Sequence, residues 1–151
     1  MSHSVKERIK ALKESSRVLG VSTNEERIDL LGKVAAGLRR DWPTIRKANE
    51  QDVAEAKEQQ IGAALIKRLV FDEQKLNEVI LGLKQVAALA DPVGKVLQRR
   101  LLDDGLILEQ ISVPIGVIGM IFESRPDALV QIVGLCIKSG NVIILKGGSE
   151  A

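Results

Sequence analysis

At 151 residues the chain is long enough for one ordinary domain, and 45% hydrophobic content can supply a substantial core. Its 22 Lys and Arg against 20 Asp and Glu leave a formal net charge of +2 with the signs interspersed. That balance argues against nucleic acid as a partner, and the three aromatics Trp42, Phe71 and Phe122 are too few for a base-stacking surface. One cysteine, Cys136, and one histidine, His3, leave no disulfide within the chain and no metal cluster of such residues. No apolar run approaches the roughly 20 residues that cross a bilayer, and MSHSVKERIK lacks the apolar centre of a signal peptide. A cytoplasmic protein without membrane contact is the expectation.

From Val5 to about Ala90 the apolar residues recur at helical spacing, first Val5, Ile9 and Leu12, then Ile28, Leu31, Ala35 and Leu38. Thr23 with Glu26 fits a capping box, in which hydroxyl and carboxylate each satisfy an orphan backbone N–H. Pro43, after Asp41 and Trp42, suits the first turn of the next helix. Leu76, Val79, Ile80, Leu83, Val86 and Ala87 make one continuous stripe, which Asp91, Pro92 and Gly94 bring to an end. In KVLQRRLLDDGLILEQISV, Asp104–Gly105 sits between two apolar-bearing arms and predicts a long β-hairpin. An isolated ribbon is marginal in water, so this one is expected to pack on another sheet or on a partner subunit.

After Pro114 the pattern changes. IGVIGMI is apolar without alternation, DALVQIVGLCIK repeats Leu129, Ile132, Val133, Cys136 and Ile137 at helical spacing, and VIIL is a second apolar run. Strand, helix, strand of a parallel sheet follows, with Gly140–Asn141 as the helix stop. The expected class is α/β, divided into N-terminal helices over 1–94, a hairpin over 95–113, and the first βαβ unit of a Rossmann-like sheet over 114–151.

Ligands of open parallel sheets bind at the carboxyl ends of the strands. Two loops qualify: Phe122–Pro126 after the first strand and Lys146–Glu150 after the second. Gly147 and Gly148 let backbone approach a bulky ligand, while Lys146 and Ser149 offer a cation and a hydroxyl for ribose or phosphate oxygens. KGGSE matches neither dinucleotide nor phosphate-loop patterns, so the glycine pair also reads as a plain turn. In the first loop, Ser124 with Asp127 is placed to cap the following helix, and no histidine is available to activate it as a nucleophile. Arg125 offers a planar fork for a carboxylate or phosphate, or an ion pair with Glu123 or another surface acid. Cys136 falls on the apolar helix face, where burial raises the thiol pKa and packing is its role.

The residues PIGVIG, ESRP, KSGN and KGGSEA, in this order and spacing between Pro114 and Ala151, resemble the gamma-glutamyl phosphate reductase (glutamate-5-semialdehyde dehydrogenase) family of the aldehyde dehydrogenase superfamily. ANEQDVAEAK, from Ala48 to Lys57, is similar to that family's N-terminal region, so the resemblance extends over nearly the whole chain. It implies an aldehyde dehydrogenase-like fold and an oxidoreductase of proline biosynthesis. The reaction is NADPH-dependent reduction of L-glutamyl 5-phosphate to L-glutamate 5-semialdehyde with release of phosphate.

By position, the resemblance puts Lys146 beside the adenosine ribose, together with Gly147 and Gly148. Ser149 stands where NAD-preferring relatives often carry a ribose-binding glutamate, which favours NADP. Glu123, Ser124 and Arg125 occupy the loop that carries an oxyanion-binding asparagine in many aldehyde dehydrogenases, and here Arg125 is expected to hold an anionic group of the substrate. The family's nucleophilic cysteine does not match Cys136 and is expected beyond Ala151, which makes this chain an N-terminal portion, inactive by itself. The hairpin resembles the superfamily's oligomerisation strands, so a homo-oligomer is implied, as is association with a glutamate 5-kinase. Other readings are a different aldehyde or acyl-phosphate oxidoreductase, or a non-catalytic helical interaction module.

Overall fold

The computed structural model describes residues 5–123 and 125–148. Five helices come first: α1 (Val5–Gly20), α2 (Asn24–Arg40), α3 (Trp42–Glu58), α4 (Ala63–Leu69) and α5 (Glu73–Ala88). The strands β1 (Val96–Asp103) and β2 (Leu106–Ile111) follow, then β3 (Val117–Ile121), α6 (Pro126–Lys138) and β4 (Val142–Lys146). No helix among the described residues is long and apolar enough to cross a membrane.

Local chemistry sets the helix ends. The Thr23 side chain accepts from the Glu26 N–H at 3.2 Å while the Glu26 carboxylate accepts from the Thr23 N–H at 2.8 Å, the expected capping box of α2. Pro43 lies in the first turn of α3, and Asp72 caps α5 by accepting from the Lys75 N–H. Helix α5 stops at Ala88, a few residues before the Asp91–Pro92 break. Gly140, at φ +71°, ends α6 in a conformation that an L side chain resists.

The core lies where α2, α5 and α6 meet, built from Leu31, Phe71, Leu76, Val79, Leu83 and Val130. The α5 stripe read from the sequence supplies three of them. Helices α5 and α6 approach so closely that a Cβ on Gly134 would stand 2.7 Å from Leu83 Cδ2. Three polar ties hold the periphery. Arg27, 1% exposed, donates from Nη2 to both carboxylate oxygens of Asp91 at 2.7 and 2.9 Å, joining α2 to the segment that leads into the hairpin. Buried Asn49 of α3 donates to Leu69 O at 2.9 Å and accepts from the Phe71 N–H at 2.7 Å. Buried Lys138 at the end of α6 donates to Asn24 Oδ1 and Ala87 O, at 2.8 and 2.9 Å.

β1 and β2 pair antiparallel around Asp104–Gly105, with Gly105 at φ +77° and irregularities between Val96 and Gln98 and between Leu101 and Asp103. Every residue of both strands is exposed, including Leu97, Leu101, Leu102, Leu106 and Leu108. The ribbon's base is secured by Ser112, whose hydroxyl donates to Pro92 O and accepts from the Lys95 N–H. β3 and β4 pair in parallel, Val117 opposite Val142 through Ile121 opposite Lys146, with α6 as the crossover. Asn141 secures the start of this pair: its Oδ1 accepts from the Gly116 N–H at 2.9 Å.

Candidate functional site

Parallel pairing in this register brings the two ligand loops side by side at the carboxyl ends of β3 and β4. The Phe122 N–H donates to Lys146 O at 3.0 Å, the last rung of the ladder before the chains diverge. Lys146 and Glu123 are exposed, while Phe122, Gly147 and Gly148 are half-buried. Beyond that rung the Phe122 ring lies against the glycine turn, since a Cβ on Gly147 would sit 3.6 Å from Phe122 Cζ.

A cleft of about 400 Å³ opens beside the turn, bordered by Gly147, Gly148, Phe122, Pro126, Leu129 and Leu145 on the sheet side. Helix α3 closes its other wall with Ile45, Ala48, Asn49 and Asp52, and Phe71 completes it. Such a volume is at the small end of ligand sites, and its lining combines glycine backbone with aromatic and aliphatic walls. Asp52 is the one charged side chain lining it among the described residues, suited to ribose hydroxyls and hostile to a phosphate at close range.

In the first loop, α6 begins at Pro126 with Arg125 at the N-cap position and no side-chain cap bond. The Asp127 carboxylate meets Arg125 Nη2 at 3.3 Å, and the expected cap that pairs it with Ser124 falls outside the described residues. The ion-pair partner of Arg125 is thus Asp127, where the sequence pointed first to Glu123. Ser124 and Ser149 lie outside the described residues. Cys136 is buried in α6 at 7% exposure, and desolvation pushes its thiol above the ordinary value, the opposite of what a nucleophilic cysteine requires. No cluster of metal-ligating side chains is present among the described residues.

Comparison with known proteins shows what the chain is similar to. Over 93% of its length the chain is 49% identical to the gamma-glutamyl phosphate reductase of Pelotomaculum thermopropionicum, and over 98% of its length 47% identical to that of Acetivibrio thermocellus. The crystal structure of the gamma-glutamyl phosphate reductase from Saccharomyces cerevisiae superposes on 99% of the chain with a TM-score of 0.92 at 43% identity. By sequence and by fold, the chain is similar to part of the gamma-glutamyl phosphate reductases. The Thermotoga maritima gamma-glutamyl phosphate reductase structure agrees, with a TM-score of 0.94 at 37% identity over 99% of the chain. No protein-family model matches the chain.

The chain spans about a third of the length of the curated gamma-glutamyl phosphate reductases it matches, 32% and 34% of the two named, and 38% and 36% of the two solved chains. It corresponds to an aldehyde dehydrogenase-like N-terminal portion, in line with the α/β class read from the sequence. Two acidic side chains lie beside the loops without having been marked by the sequence pattern. Asp52 lies within ANEQD, which was read only as a family resemblance, and Asp127 was read only as a cap.

Proposed function

We propose that the protein to which this chain contributes reduces L-glutamyl 5-phosphate to L-glutamate 5-semialdehyde and phosphate, with NADPH as reductant, in proline biosynthesis. The observation that carries this reading is the 0.92 TM-score at 43% identity to a gamma-glutamyl phosphate reductase, with both strand-end loops inside the matched region. When bound, the nicotinamide cofactor supplies the hydride that converts the acyl group to an aldehyde.

Within this reading Lys146 offers its ammonium to the adenosine ribose and its phosphate, and Gly147 and Gly148 allow backbone contact. Ser149, by its place in the sequence, leaves room for a 2′-phosphate where a glutamate would repel one. Asp52 lies on the α3 side of the cleft and suits a ribose hydroxyl, so the 2′-phosphate belongs on the Lys146 side. Glu123, Ser124 and Arg125 form the substrate loop, in which the Arg125 guanidinium holds an anionic group. The nucleophile is a cysteine other than Cys136, whose buried thiol serves packing.

The enzyme is cytoplasmic in this account and a homo-oligomer, the hairpin's exposed leucines being covered by another copy. A glutamate 5-kinase associated with it would hand over the hydrolysable acyl phosphate directly. Cofactor choice tests the site: in the full-length enzyme kcat/KM with NADPH exceeds that with NADH, and Lys146→Ala reduces the NADPH value at least tenfold. Equal use of both cofactors, unaffected by Lys146→Ala, would remove Lys146 and Ser149 from the cofactor site.

A further inference from the structure

The motif KSGN, Lys138 to Asn141, forms the turn from α6 into β4, at the end of the parallel pair opposite the ligand loops. Each of its residues is engaged. Buried Lys138 ties the end of α6 to Asn24 and Ala87. The Ser139 hydroxyl donates to Leu135 O at 2.8 Å and accepts from Asn141 Nδ2 at 2.9 Å. Gly140 turns against Pro114 so closely that a Cβ would stand 2.9 Å from Pro114 Cγ. Asn141, 5% exposed, is thereby held with its Oδ1 on the Gly116 N–H.

This turn answers a problem of register. The strands VIGMI and VIILK are apolar on both faces, so a slip by one residue exchanges one apolar side chain for another, and the hydrophobic pattern resists it weakly. The backbone bonds, Val142 N–H to Gly116 O and Phe122 N–H to Lys146 O, can re-form one residue along. The side-chain bond from Asn141 cannot, because its donor belongs to a residue at φ +115°, open to Gly116 and closed to its β-branched neighbours Ile115 and Val117. A slip by one residue would carry Phe122 and the loop after it about 3.3 Å past the Gly147 turn.

From this we infer that Asn141 is a positioning residue for the reaction: it locks β3 against β4 and so sets the substrate loop relative to the cofactor turn at the other end of the sheet. The inference rests on the function proposed above. Hydride transfer needs the two ligands in contact, and a misplacement of about 1 Å can cost on the order of 100-fold in rate. Each loop keeps its own residues when the lock is loosened, so the ligands still bind and the alignment between them is what is lost.

The test uses the full-length enzyme in the oxidative direction, following phosphate-dependent NADP reduction with glutamate 5-semialdehyde well below the melting temperature. For Asn141→Ala the expected result is a kcat at least tenfold lower, with the dissociation constant of NADP, measured by calorimetry, within twofold of wild type. Asn141→Asp, which keeps an oxygen for the Gly116 N–H, restores most of kcat. Ser139→Ala leaves Asn141 in place but strips it of one support, and lowers kcat by a smaller factor at unchanged NADP affinity; this milder variant decides the matter if Asn141→Ala does not fold. A lowered melting temperature with wild-type kcat in the folded variants would overturn the inference and leave the turn a purely structural one. A loss of NADP affinity in step with kcat would overturn it too, since the cofactor turn alone would then be disturbed. Failure of the wild-type enzyme to oxidise glutamate 5-semialdehyde with phosphate would instead refute the proposed function itself.

Discussion

Replacing Asn49 with alanine tests how the wall of the cleft is built. Asn49 is 8% exposed and its amide bridges Leu69 O and the Phe71 N–H at 2.9 and 2.7 Å, so truncation strips two backbone groups of their partner at once. A buried polar group left without a partner costs about 1–3 kcal/mol. Water can reach the site from the cleft that Asn49 and Phe71 line, which sets the expectation toward the lower half of the sum, about 2–4 kcal/mol. That is a large share of the roughly 5–15 kcal/mol that stabilises an ordinary domain. The reporter is in place: Trp42 is the only tryptophan, and its ring meets that of Phe71 edge-on at 5.8 Å between centroids. Urea unfolding of the 151-residue chain, followed by tryptophan fluorescence, should show a lower midpoint with an unchanged slope. A loss below about 0.5 kcal/mol would mean that the bridge is dispensable and that apolar packing alone sets the α3–α4 junction.

Gly134→Ala should destabilise by about 1–3 kcal/mol, because the new methyl would lie 2.7 Å from Leu83 Cδ2 between α5 and α6; thermal unfolding measures it, and a neutral result would refute the close approach. Burial raises the Cys136 thiol, so the native protein holds that proton more tightly than the unfolded chain. Its contribution to stability is therefore complete below the ordinary thiol range and is lost as pH rises toward the elevated native value, a decline that Cys136→Ala removes from urea midpoints measured across that range. Arg125→Ala in the full-length enzyme should raise the substrate KM or lower kcat at least tenfold, about 1.4 kcal/mol of transition-state stabilisation, and unchanged kinetics would end its substrate role. Aspartates at the paired positions Leu101 and Ile107, 69% and 47% exposed, should shift the full-length protein to a smaller species in light scattering; an unaltered mass would acquit the hairpin of an assembly role.

What was legible in the sequence were features with short-range causes. The Thr23–Glu26 box, the proline in the first turn of α3, the Asp104–Gly105 turn and the β3–α6–β4 unit each follow from residues within a few positions of one another. The polar ties were not legible, because their partners are far apart in the chain. Arg27 finds Asp91 across 64 positions and Lys138 finds Asn24 across 114. Periodicity marks which face of a helix is apolar; it carries no information on which distant carbonyl a buried amide such as Asn49 will meet. Asp127 shows the same limit at short range, since nothing in its spacing singles it out as the acid that its neighbour Arg125 meets in the fold.

The most direct test of the account is whether the full-length protein, expressed from its native gene, reduces NADP with L-glutamate 5-semialdehyde in a strictly phosphate-dependent manner. The account predicts turnover that needs phosphate and yields the acyl phosphate. Turnover that ignores phosphate, or none with this aldehyde while other aldehydes react, would contradict it.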